Sequence, residues 1–423
     1  MARVLLALTV LTGWTAWAYD NGVVTSSEPP RGWSTWCTNE ICGIPDRCSE
    51  WEVKKKAKSM VDQGLTDLGY KWVLLDDCWS DTDRDENGEL QPSPHLFPSG
   101  MKNLADSLHA MGMYLGLYTC IGTKTCKKSR PGSYGHYETD ANTMAKWGID
   151  MVKTDYCNKP AEEDGQELYT QFSNALNATG RPMLFSMCQW GNDEVYKWGG
   201  DIAQMYRVQM DHLPMWHWPP TATGKGLGCG TRDIIEYMAL LDPSKWVRQG
   251  AWMDPDFLET LYHFCTPARK NRPAVCTTMD FTASRTEMAF WTLWSAPLLM
   301  ATDPENLSEE KRSIIANKEV LAVHNDPLWI GGDRLYNATT GAQAWRKPLS
   351  DGDIAVILYN SNYERDAEVA ITFAMLEVEG WAATDKIRVR DLWANEDIGD
   401  FRGGYNAEKV PARDHVFLRL SKV

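Results

Sequence analysis

Short apolar segments alternate with helix-like segments through roughly the first three hundred residues, and this alternation restricts the possible folds more than any other feature. Helical patterns occupy residues 50–63, 105–111, 139–147 and 162–176. The strand-like runs are residues 32–36, 72–76, 114–118, 151–155, 183–188, 203–207, 248–252 and 297–301. Eight units of this kind predict an α/β fold, a closed (β/α)8 TIM barrel.

Polar side chains repeatedly stand where these predicted strands end. Asp76 and Asp77 end the second strand, Tyr118 the third, Asp155 the fourth and Arg207 the sixth. The C-terminal ends of parallel strands meet on one face of a barrel, and active sites of this fold lie there. The sequence therefore predicts one polar site at that face, in preference to unrelated caps on separate strands.

The pattern changes near residue 325 to strands with period-two alternation, separated by turns rich in Gly, Asn and Asp. The strand-like segments are GAQAWRKPL, GDIAVILYN, AEVAITFA, KIRVRDLW and DHVFLRL. They predict a C-terminal antiparallel β-sandwich domain packed against the barrel. The predicted organisation is a leader at 1–18, a barrel domain at 19–324 and a sandwich at 325–423.

The first eighteen residues have the features of a secretory signal peptide. Arg3 supplies a positive charge, residues 4–11 form an apolar core, and AWA at 16–18 is a small-x-small cleavage site. Eleven cysteines agree with an oxidising compartment, and their odd number leaves at least one thiol outside an intramolecular pair. Sequons for N-glycosylation begin at Asn177, Asn306 and Asn337. We expect a secretory route to the extracellular space, with vacuole or lysosome as alternatives.

The charge balance narrows the class of partner. The chain carries 43 Lys and Arg against 57 Asp and Glu, a formal net charge of −14. Such a chain is a poor partner for nucleic acid or an anionic membrane, and no apolar run after the leader is long enough to span a bilayer. We therefore expect a neutral or cationic ligand and no membrane insertion.

Motifs for cofactors and metals are missing or incomplete. There is no G-x-S-x-G and no Walker loop, and the glycine cluster at 224–230 lacks the spacing of a dinucleotide fingerprint. His212 and His217, with Asp211, could be read as metal ligands. However, Pro214 breaks the helix that a helical zinc motif requires. The sequence predicts no cofactor and no metal.

The remaining chemistry is that of carboxylates with aromatic side chains. Glycoside hydrolysis needs two carboxyl groups that flank the scissile bond. Asp155 in VKTDYCN and Asp211 in YRVQMDH are candidates on opposite sides of the predicted barrel mouth. Twenty tryptophans add weight, because their flat faces can cover sugar C–H groups, although most tryptophans belong to cores.

These motifs together resemble the α-galactosidases and α-N-acetylgalactosaminidases of glycoside hydrolase family twenty-seven. The resemblance begins near residue 30 and continues to the C-terminus. It is carried by RGWSTW, LLDDCW, LQPSPHLFPSG, GLYTCIGTKTC, PGSYGHYETDANTMAKWGIDMVKTDYC, CQW, the R-x-x-x-D of 207–211, DPDFL and SAPLLM. Most of these pieces are weak separately, and their shared order makes the resemblance specific. It implies a retaining α-galactosidase without a cofactor.

The resemblance also implies roles for individual residues. Asp155 resembles the catalytic nucleophile and Asp211 the acid/base of a double displacement. Asp76 and Asp77 resemble the pair that accepts hydrogen bonds from the 4- and 6-hydroxyls of galactose. Further substrate-binding positions match Trp36, Tyr118, Lys153, Gln189, Arg207 and Asp256.

Some positions depart from the family pattern. Gln189 stands where many relatives carry Glu, near the region that reads the sugar 2-substituent, and a bulky side chain there favours galactose over N-acetylgalactosamine. Met253 replaces the usual Asn before DPD, and Cys120 replaces an Asp. Cys126 with Cys157 resembles the family disulfide, which would stiffen the backbone of the nucleophile.

The resemblance leaves alternatives open. Within the family they are an α-N-acetylgalactosaminidase, a β-L-arabinopyranosidase and an α-glucan-active enzyme. From another class, the alternative is a secreted carbohydrate-binding protein without turnover, which would lose little on substitution of Asp155 by Asn. The expected partner is a carbohydrate with terminal α-galactose, and a homodimer is a further expectation left open.

Overall fold

A computed structural model of the chain describes residues 22, 28–36, 48–217, 228–265, 276–382 and 384–423, with only the backbone at 264, 265 and 276. The predicted leader at 1–18, Cys37 and Cys42 lie outside the described residues. Every described helix is too short or too polar to traverse a lipid bilayer.

The first sheet contains eight parallel strands in the order β10-β1-β2-β3-β4-β5-β6-β7. It closes through Leu258, which receives a backbone hydrogen bond from Ala301 and donates one to Leu299, each at 2.9 Å. The predicted barrel is thus confirmed. The strands of this sheet are β1 Arg31–Ser34, β2 Trp72–Leu75, β3 Tyr114–Cys120, β4 Met151–Asp155, β5 Leu184–Cys188, β6 Met205–Arg207, β7 Trp252–Asp254 and β10 Leu298–Met300. Two further strands, β8 His263–Cys265 and β9 Cys276–Thr278, form a separate hairpin.

Helices cover the outside of this sheet. Several begin at side-chain caps: Ser49 accepts a hydrogen bond from the Glu52 N–H, and Asp164 accepts one from the Glu167 N–H. Between β5 and β6 the connection is made of short 3-10 turns at Asn192–Lys197 and Gly199–Asp201. The helices are α1 Glu50–Asp62, α2 Gly100–His109, α3 Tyr137–Trp147, α4 Gly165–Ala178, α5 Thr231–Leu241, α6 Pro243–Trp246, α7 Phe281–Leu293, α8 Glu309–Ile315 and α9 Lys318–His324.

Among the strands of the barrel sheet, the seventh was predicted least accurately in position. The predicted strand at 248–252 is a turn, in which the Ala251 N–H donates to the Arg248 carbonyl at 2.9 Å and Gly250 has a φ of 72°. A left-handed φ suits glycine and ends an extended segment. Because β7 starts four residues later than predicted, its last residue is Asp254.

The barrel interior is filled by side chains from alternate positions of the strands. Trp72, Met151, Leu184 and Met205 form part of one buried cluster inside the sheet. Gly32 permits close approach of β1 and β2, because a Cβ atom there would lie 1.9 Å from the Trp72 carbonyl oxygen. The interior is packed, so a ligand can bind only above the C-terminal strand ends.

The C-terminal part is an antiparallel β-sandwich, as predicted. One sheet has the order β11-β12-β13-β18-β15-β16, and β14 pairs with β17. Three strands were not predicted, of which β16 lacks a buried face in its sequence and is largely exposed. The strands are β11 Asp333–Asn337, β12 Ala342–Pro348, β13 Ile354–Asn360, β14 Ala367–Thr372, β15 Lys386–Asp391, β16 Glu396–Arg402, β17 Gly404–Val410 and β18 His415–Lys422.

Aromatic side chains join the sandwich to helix α7 of the barrel. The Phe290 ring lies edge-on to Trp345 at 5.1 Å and to Tyr359 at 5.3 Å between ring centroids. All three side chains are fully buried. Edge-to-face contacts of this kind add to the free energy of burial, so the two parts share a hydrophobic junction.

Candidate active site

Asp155 is the last residue of β4 and lies in the centre of the strand-end face. In the sheet it is paired in register with Cys120 of β3 and Cys188 of β5. The Tyr118 hydroxyl donates to Asp155 Oδ2 at 2.9 Å, and the Tyr156 N–H donates to Oδ1 at 2.8 Å. Burial raises the pKa of Asp155 to about 6, although the positive charge of Lys153 acts in the opposite direction.

Lys153 lies two residues before Asp155 on the same face of β4. Its Nζ atom is 2.7 Å from Asp76 Oδ2, and both side chains are buried. The rings of Phe257, Tyr118 and Trp36 surround the ammonium group at 4.7, 5.5 and 5.8 Å from their centroids. Burial alone would lower the pKa of Lys153, but Asp76 and other nearby acidic groups outweigh it and raise the pKa. Lys153 is thus a buried cation.

Asp77 has different partners from Asp76. The Lys127 N–H donates to Asp77 Oδ2 at 3.0 Å, while Arg130 Nη1 lies 3.7 Å from Oδ1. Oδ1 is buried and makes no hydrogen bond of normal length within the described residues. Burial raises the pKa of Asp77. Asp76 and Asp77 are adjacent in the sequence, but their carboxyl groups have different ion-pair and hydrogen-bond partners.

Arg207 at the end of β6 joins two carboxylates from different parts of the chain. Its Nη2 atom is 3.0 Å from Asp256 Oδ2 and 3.2 Å from Asp211 Oδ1. Arg207 and Asp256 are buried, whereas the Asp211 side chain is 34% exposed. Although its side chain is partly exposed, partial desolvation raises the pKa of Asp211, and Arg207 acts in the opposite direction. Asp211 is thus an acidic group at the opening of the site.

Gln189 lies immediately after β5 and is completely buried. Its Nε2 atom donates to Asp193 Oδ2 at 3.0 Å, and its Oε1 atom has no hydrogen-bond partner within the described residues. Trp36 lies half-buried at the same opening. The structure therefore brings all ten residues predicted for the site to one face of the barrel: Trp36, Asp76, Asp77, Tyr118, Lys153, Asp155, Gln189, Arg207, Asp211 and Asp256.

A disulfide holds the segment that follows the nucleophile candidate. Cys126 and Cys157 are bonded, and Cys126 Sγ lies 3.1 Å from Asp155 Oδ2. The pairing implied by the family resemblance is confirmed. The sulfur of Cys120 lies within 4.8 Å of both disulfide sulfurs. Because two of these three sulfurs are bonded to each other, the group does not offer three thiolates to a metal.

In the sequence Cys37, Cys42, Cys48 and Cys78 look like one cluster at the N-terminal end, and only the last two are among the described residues. Cys48 is bonded to Cys78, which directly follows Asp77. Cys120, Cys188 and Cys229 form no disulfide within the described residues. The backbones of Cys265 and Cys276 are paired across β8 and β9, and their side chains lie outside the described part.

Comparison with known proteins places this arrangement in a family. A family model described as alpha galactosidase A matches residues 28–326, and one described as alpha galactosidase C-terminal beta sandwich domain matches residues 339–420. The chain belongs to the α-galactosidase family. Within this family, an α-galactosidase of Oryza sativa subsp. japonica is 33% identical over 394 residues, covering 93% of this chain and 84% of its own length.

Two further members of the α-galactosidase family are similar over most of the chain. An α-N-acetylgalactosaminidase of Gallus gallus is 30% identical, covering 92% of this chain and 91% of its own length. The crystal structure of α-galactosidase I from Mortierella vinacea superposes with a TM-score of 0.83 at 30% identity. The superposition covers 94% of this chain and 98% of the Mortierella vinacea chain.

Two carboxyl groups that contact the predicted site residues were not predicted from the sequence. Asp254 ends β7 and accepts the Asp256 N–H at 2.8 Å, and burial raises its pKa to about 7. It was missed because the seventh strand was placed too early, although the DPD motif was visible. Asp193, which holds Gln189, carries no local signal of its contact. Asp256 adopts a φ of 84°, a strained conformation that recurs at functional sites.

Proposed function

We propose that this protein is a retaining α-galactosidase that releases terminal α-linked galactose from oligosaccharides, polysaccharides or glycoconjugates. The observation that carries this proposal is the pair of carboxyl groups at one barrel mouth. Asp155 is buried and anchored by Tyr118 and the backbone, whereas Asp211 is partly exposed beside Arg207. One carboxyl group is thus held to act on the sugar and the other is open to the leaving group and water.

In the first step Asp155 attacks the anomeric carbon while Asp211 gives its proton to the leaving oxygen. The galactosyl group is then bound covalently to Asp155. In the second step Asp211 takes a proton from water while the water oxygen attacks the anomeric carbon and the bond from that carbon to Asp155 breaks. Galactose leaves, Asp155 is again a carboxylate, and Asp211 again carries its proton. A raised pKa suits Asp211 as the acid, and Lys153 acts to keep Asp155 ionised.

The paired carboxylates would recognise galactose through its axial 4-hydroxyl and its 6-hydroxyl. Asp77 Oδ1 is buried and has no normal hydrogen bond within the described residues, so it can accept one from a sugar hydroxyl. Asp76 is already neutralised by Lys153. A sugar that left these buried acceptors unpaired would bind less well, which discriminates against a different 4-configuration.

Gln189 would favour galactose over N-acetylgalactosamine. It is fully buried, and its amide nitrogen is engaged by Asp193, so its Oε1 atom can accept a hydrogen bond from the sugar 2-hydroxyl. The bulk of this side chain also disfavours a 2-acetamido group. The fine specificity is therefore assigned to a residue that departs from the family pattern.

The experiment is hydrolysis of the p-nitrophenyl α-galactoside, α-N-acetylgalactosaminide, β-L-arabinopyranoside and α-glucoside by the wild type and Asp155→Asn. We expect preference for the α-galactoside, and a loss of at least about a thousandfold in kcat for Asp155→Asn, because a covalent step is removed. A matched control is Asp150→Asn, a carboxylate just before the opposite end of β4 that contacts His109 and Arg181.

The outcomes separate the candidate functions. Preference for the α-N-acetylgalactosaminide would keep the mechanism and reject the assignment of Gln189. Preference for the α-glucoside would keep the mechanism and reject the assignment of Asp76 and Asp77. Unchanged activity in Asp155→Asn would reject Asp155 as the nucleophile. Sugar binding without hydrolysis of any glycoside would favour a carbohydrate-binding protein.

We also propose passage through the secretory pathway to the extracellular space, with cleavage after residue 18, a barrel domain at 19–324 and a sandwich at 325–423. The side chains of Asn177, Asn306 and Asn337 are exposed, which supports glycosylation of all three sequons. Intact mass before and after enzymatic deglycosylation tests this route. A homodimer stays a prediction, which sedimentation velocity tests.

A further inference from the structure

His212 directly follows Asp211 and is fully enclosed by other elements. Its Nδ1 atom lies 2.9 Å from the Phe257 carbonyl oxygen, and its Nε2 atom lies 3.0 Å from Thr231 Oγ1 at the start of α5. The imidazole ring lies 5.4 Å from the ring of Trp291 on α7. One side chain therefore contacts the segment after β7 and two helices.

These contacts determine which ring nitrogen of His212 carries the hydrogen. A carbonyl oxygen can only accept, so Nδ1 carries the hydrogen and donates it to Phe257. Nε2 then accepts from the Thr231 hydroxyl. Burial lowers the pKa of His212 to about 4, so the ring is neutral at neutral pH. The imidazole is thus a defined donor and acceptor between two elements.

The peptide bond between Asp211 and His212 is held at both its N–H and its carbonyl group. The His212 N–H donates to Asp256 Oδ2 at 2.7 Å, and Asp256 also binds Arg207. The Cys229 N–H donates to the Asp211 carbonyl at 2.7 Å. The Asp211 carboxyl group itself is partly exposed, so its direction depends on how firmly this backbone is anchored.

We propose that His212 is the positioning residue for the acid/base: its imidazole clamps the Asp211 segment to the residues after β7 and to α5, and so directs the Asp211 carboxyl group at the leaving oxygen. This inference rests on the proposed role of Asp211. Such a residue does not touch the substrate. Its removal should weaken proton donation while leaving nucleophilic attack by Asp155 intact.

The test uses two substrates that differ in their need for an acid. The leaving group of methyl α-galactoside must be protonated, whereas fluoride leaves α-galactosyl fluoride with little help. General acid catalysis contributes about a hundredfold or more, and misplacing a catalytic group by about 1 Å removes a similar factor. For His212→Ala we expect kcat/KM to fall at least about tenfold more for the methyl galactoside than for the fluoride.

Two milder variants keep the proposal testable if His212→Ala does not fold. In His212→Asn the side-chain amide can still donate to the Phe257 carbonyl, so we expect the ratio of the two substrates to return within about threefold of the wild type. Thr231→Val removes the hydroxyl that donates to Nε2 without a large change of volume. It should shift the ratio in the same direction as His212→Ala, by a smaller factor.

His324 provides a matched control. It is also a fully buried, neutral histidine, its Nε2 atom lies 2.7 Å from the Ala296 carbonyl oxygen, and it ends α9 away from the site. His324→Ala should lower stability and affect both substrates equally. If His324→Ala shifted the ratio as much as His212→Ala, or if His212→Ala slowed both substrates equally, the inference would be wrong.

Asp211→Asn separates this inference from the assignment on which it rests. We expect Asp211→Asn to show the largest difference between the two substrates. If Asp211→Asn shows that difference and His212→Ala does not, only the role of His212 fails. If Asp211→Asn shows none, the acid/base assignment itself fails.

Discussion

Lys153 is a buried cation whose charge acts on two carboxyl groups of the site. It neutralises Asp76 at 2.7 Å and its charge also acts on Asp155. Removing one partner of a buried ion pair leaves an uncompensated charge in a low-dielectric environment. Lys153 therefore interacts both with Asp76, which is proposed to bind the sugar, and with Asp155, the proposed nucleophile.

For Lys153→Met we expect the free energy of unfolding to fall by about 3–5 kcal/mol, because Asp76 loses its buried counter-charge. Urea denaturation at pH 7 measures this. The control is Lys58→Met, whose pair with Asp62 is exposed at 67% and 58%, and there we expect a change within about 0.5 kcal/mol. Equal losses in the two variants would contradict a buried, essential pair.

The acid limb of the activity profile should report Asp155, whose pKa burial raises to about 6. The nucleophile must be ionised, so kcat/KM should rise with pH through about 6. The Tyr118 hydroxyl stabilises the ionised form, so Tyr118→Phe should move this limb to higher pH. The control is Tyr137→Phe, since the Tyr137 hydroxyl donates to the Ile121 carbonyl instead. A limb that moved to lower pH would contradict the assignment.

The raised pKa of Asp155 also makes the stability of the folded protein depend on pH. A carboxyl group with a raised pKa in the folded state holds more protons there than in the unfolded chain. Between the ordinary value of 3.8 and about 6, the contribution of Asp155 to stability therefore falls as pH rises. Asp155→Asn should remove this slope, which urea denaturation at pH 4 and 6 can measure. A buried nucleophile that must be ionised for activity therefore lowers the stability of the folded protein.

At the scale of elements, β4 and the loop after it are the most constrained part of the site. Asp155 is held in register by β3 and β5, and the Cys126–Cys157 disulfide fixes the second residue after it. The Cys48–Cys78 disulfide similarly fixes the residue after Asp77. Each disulfide therefore supports a different function of the site.

The two disulfides close sequence separations of 31 and 30 residues, so removing either pair with serine should cost a similar stability of about 2–4 kcal/mol. Their kinetic effects should differ. Cys126→Ser with Cys157→Ser should lower mainly kcat, and Cys48→Ser with Cys78→Ser should raise mainly KM. Thermal unfolding and steady-state kinetics on p-nitrophenyl α-galactoside test this. The same kinetic pattern in both would reject the division of function.

The elements differed in how well the sequence predicted them. Strands β2, β3 and β5 are mostly apolar, and β4 begins with apolar residues and ends in polar ones; these local patterns were sufficient to locate all four strands. Strand β7 was misplaced because residues 248–251, which were predicted as extended, form a turn with Gly250 in a left-handed conformation. Strand β16 is largely exposed, so it has little hydrophobic periodicity to detect.

At the scale of the whole molecule, a buried lysine lies at the junction of the two parts. Lys347 on β12 is fully buried, and its Nζ atom donates to Ser295 Oγ at 2.7 Å and to the Val323 carbonyl at 2.8 Å. Burial lowers its pKa to about 7, although Asp326 opposes this. The junction therefore contains a cation whose charge is costly near neutral pH.

Since the folded state holds fewer protons than the unfolded chain between about 7 and the ordinary value of 10.5, Lys347 should make stability rise with pH over that range. Lys347→Met should remove this contribution, and urea denaturation at pH 7 and 9 measures the difference from wild type. Lys422→Met is the control, because that lysine is 45% exposed in its pair with Asp385. An unchanged slope in Lys347→Met would contradict the assignment.

The sequence by itself determined the barrel, the sandwich and the face on which the site lies, because hydrophobic period and strand-end polarity are local signals. Only the tertiary structure decided the chemistry of each carboxyl group. Asp76 meets Lys153 across 77 residues, Arg207 joins Asp211 to Asp256, and Gln189 is held by Asp193. A pKa or a hydrogen-bond partner depends on contacts between distant strands, which no local pattern contains.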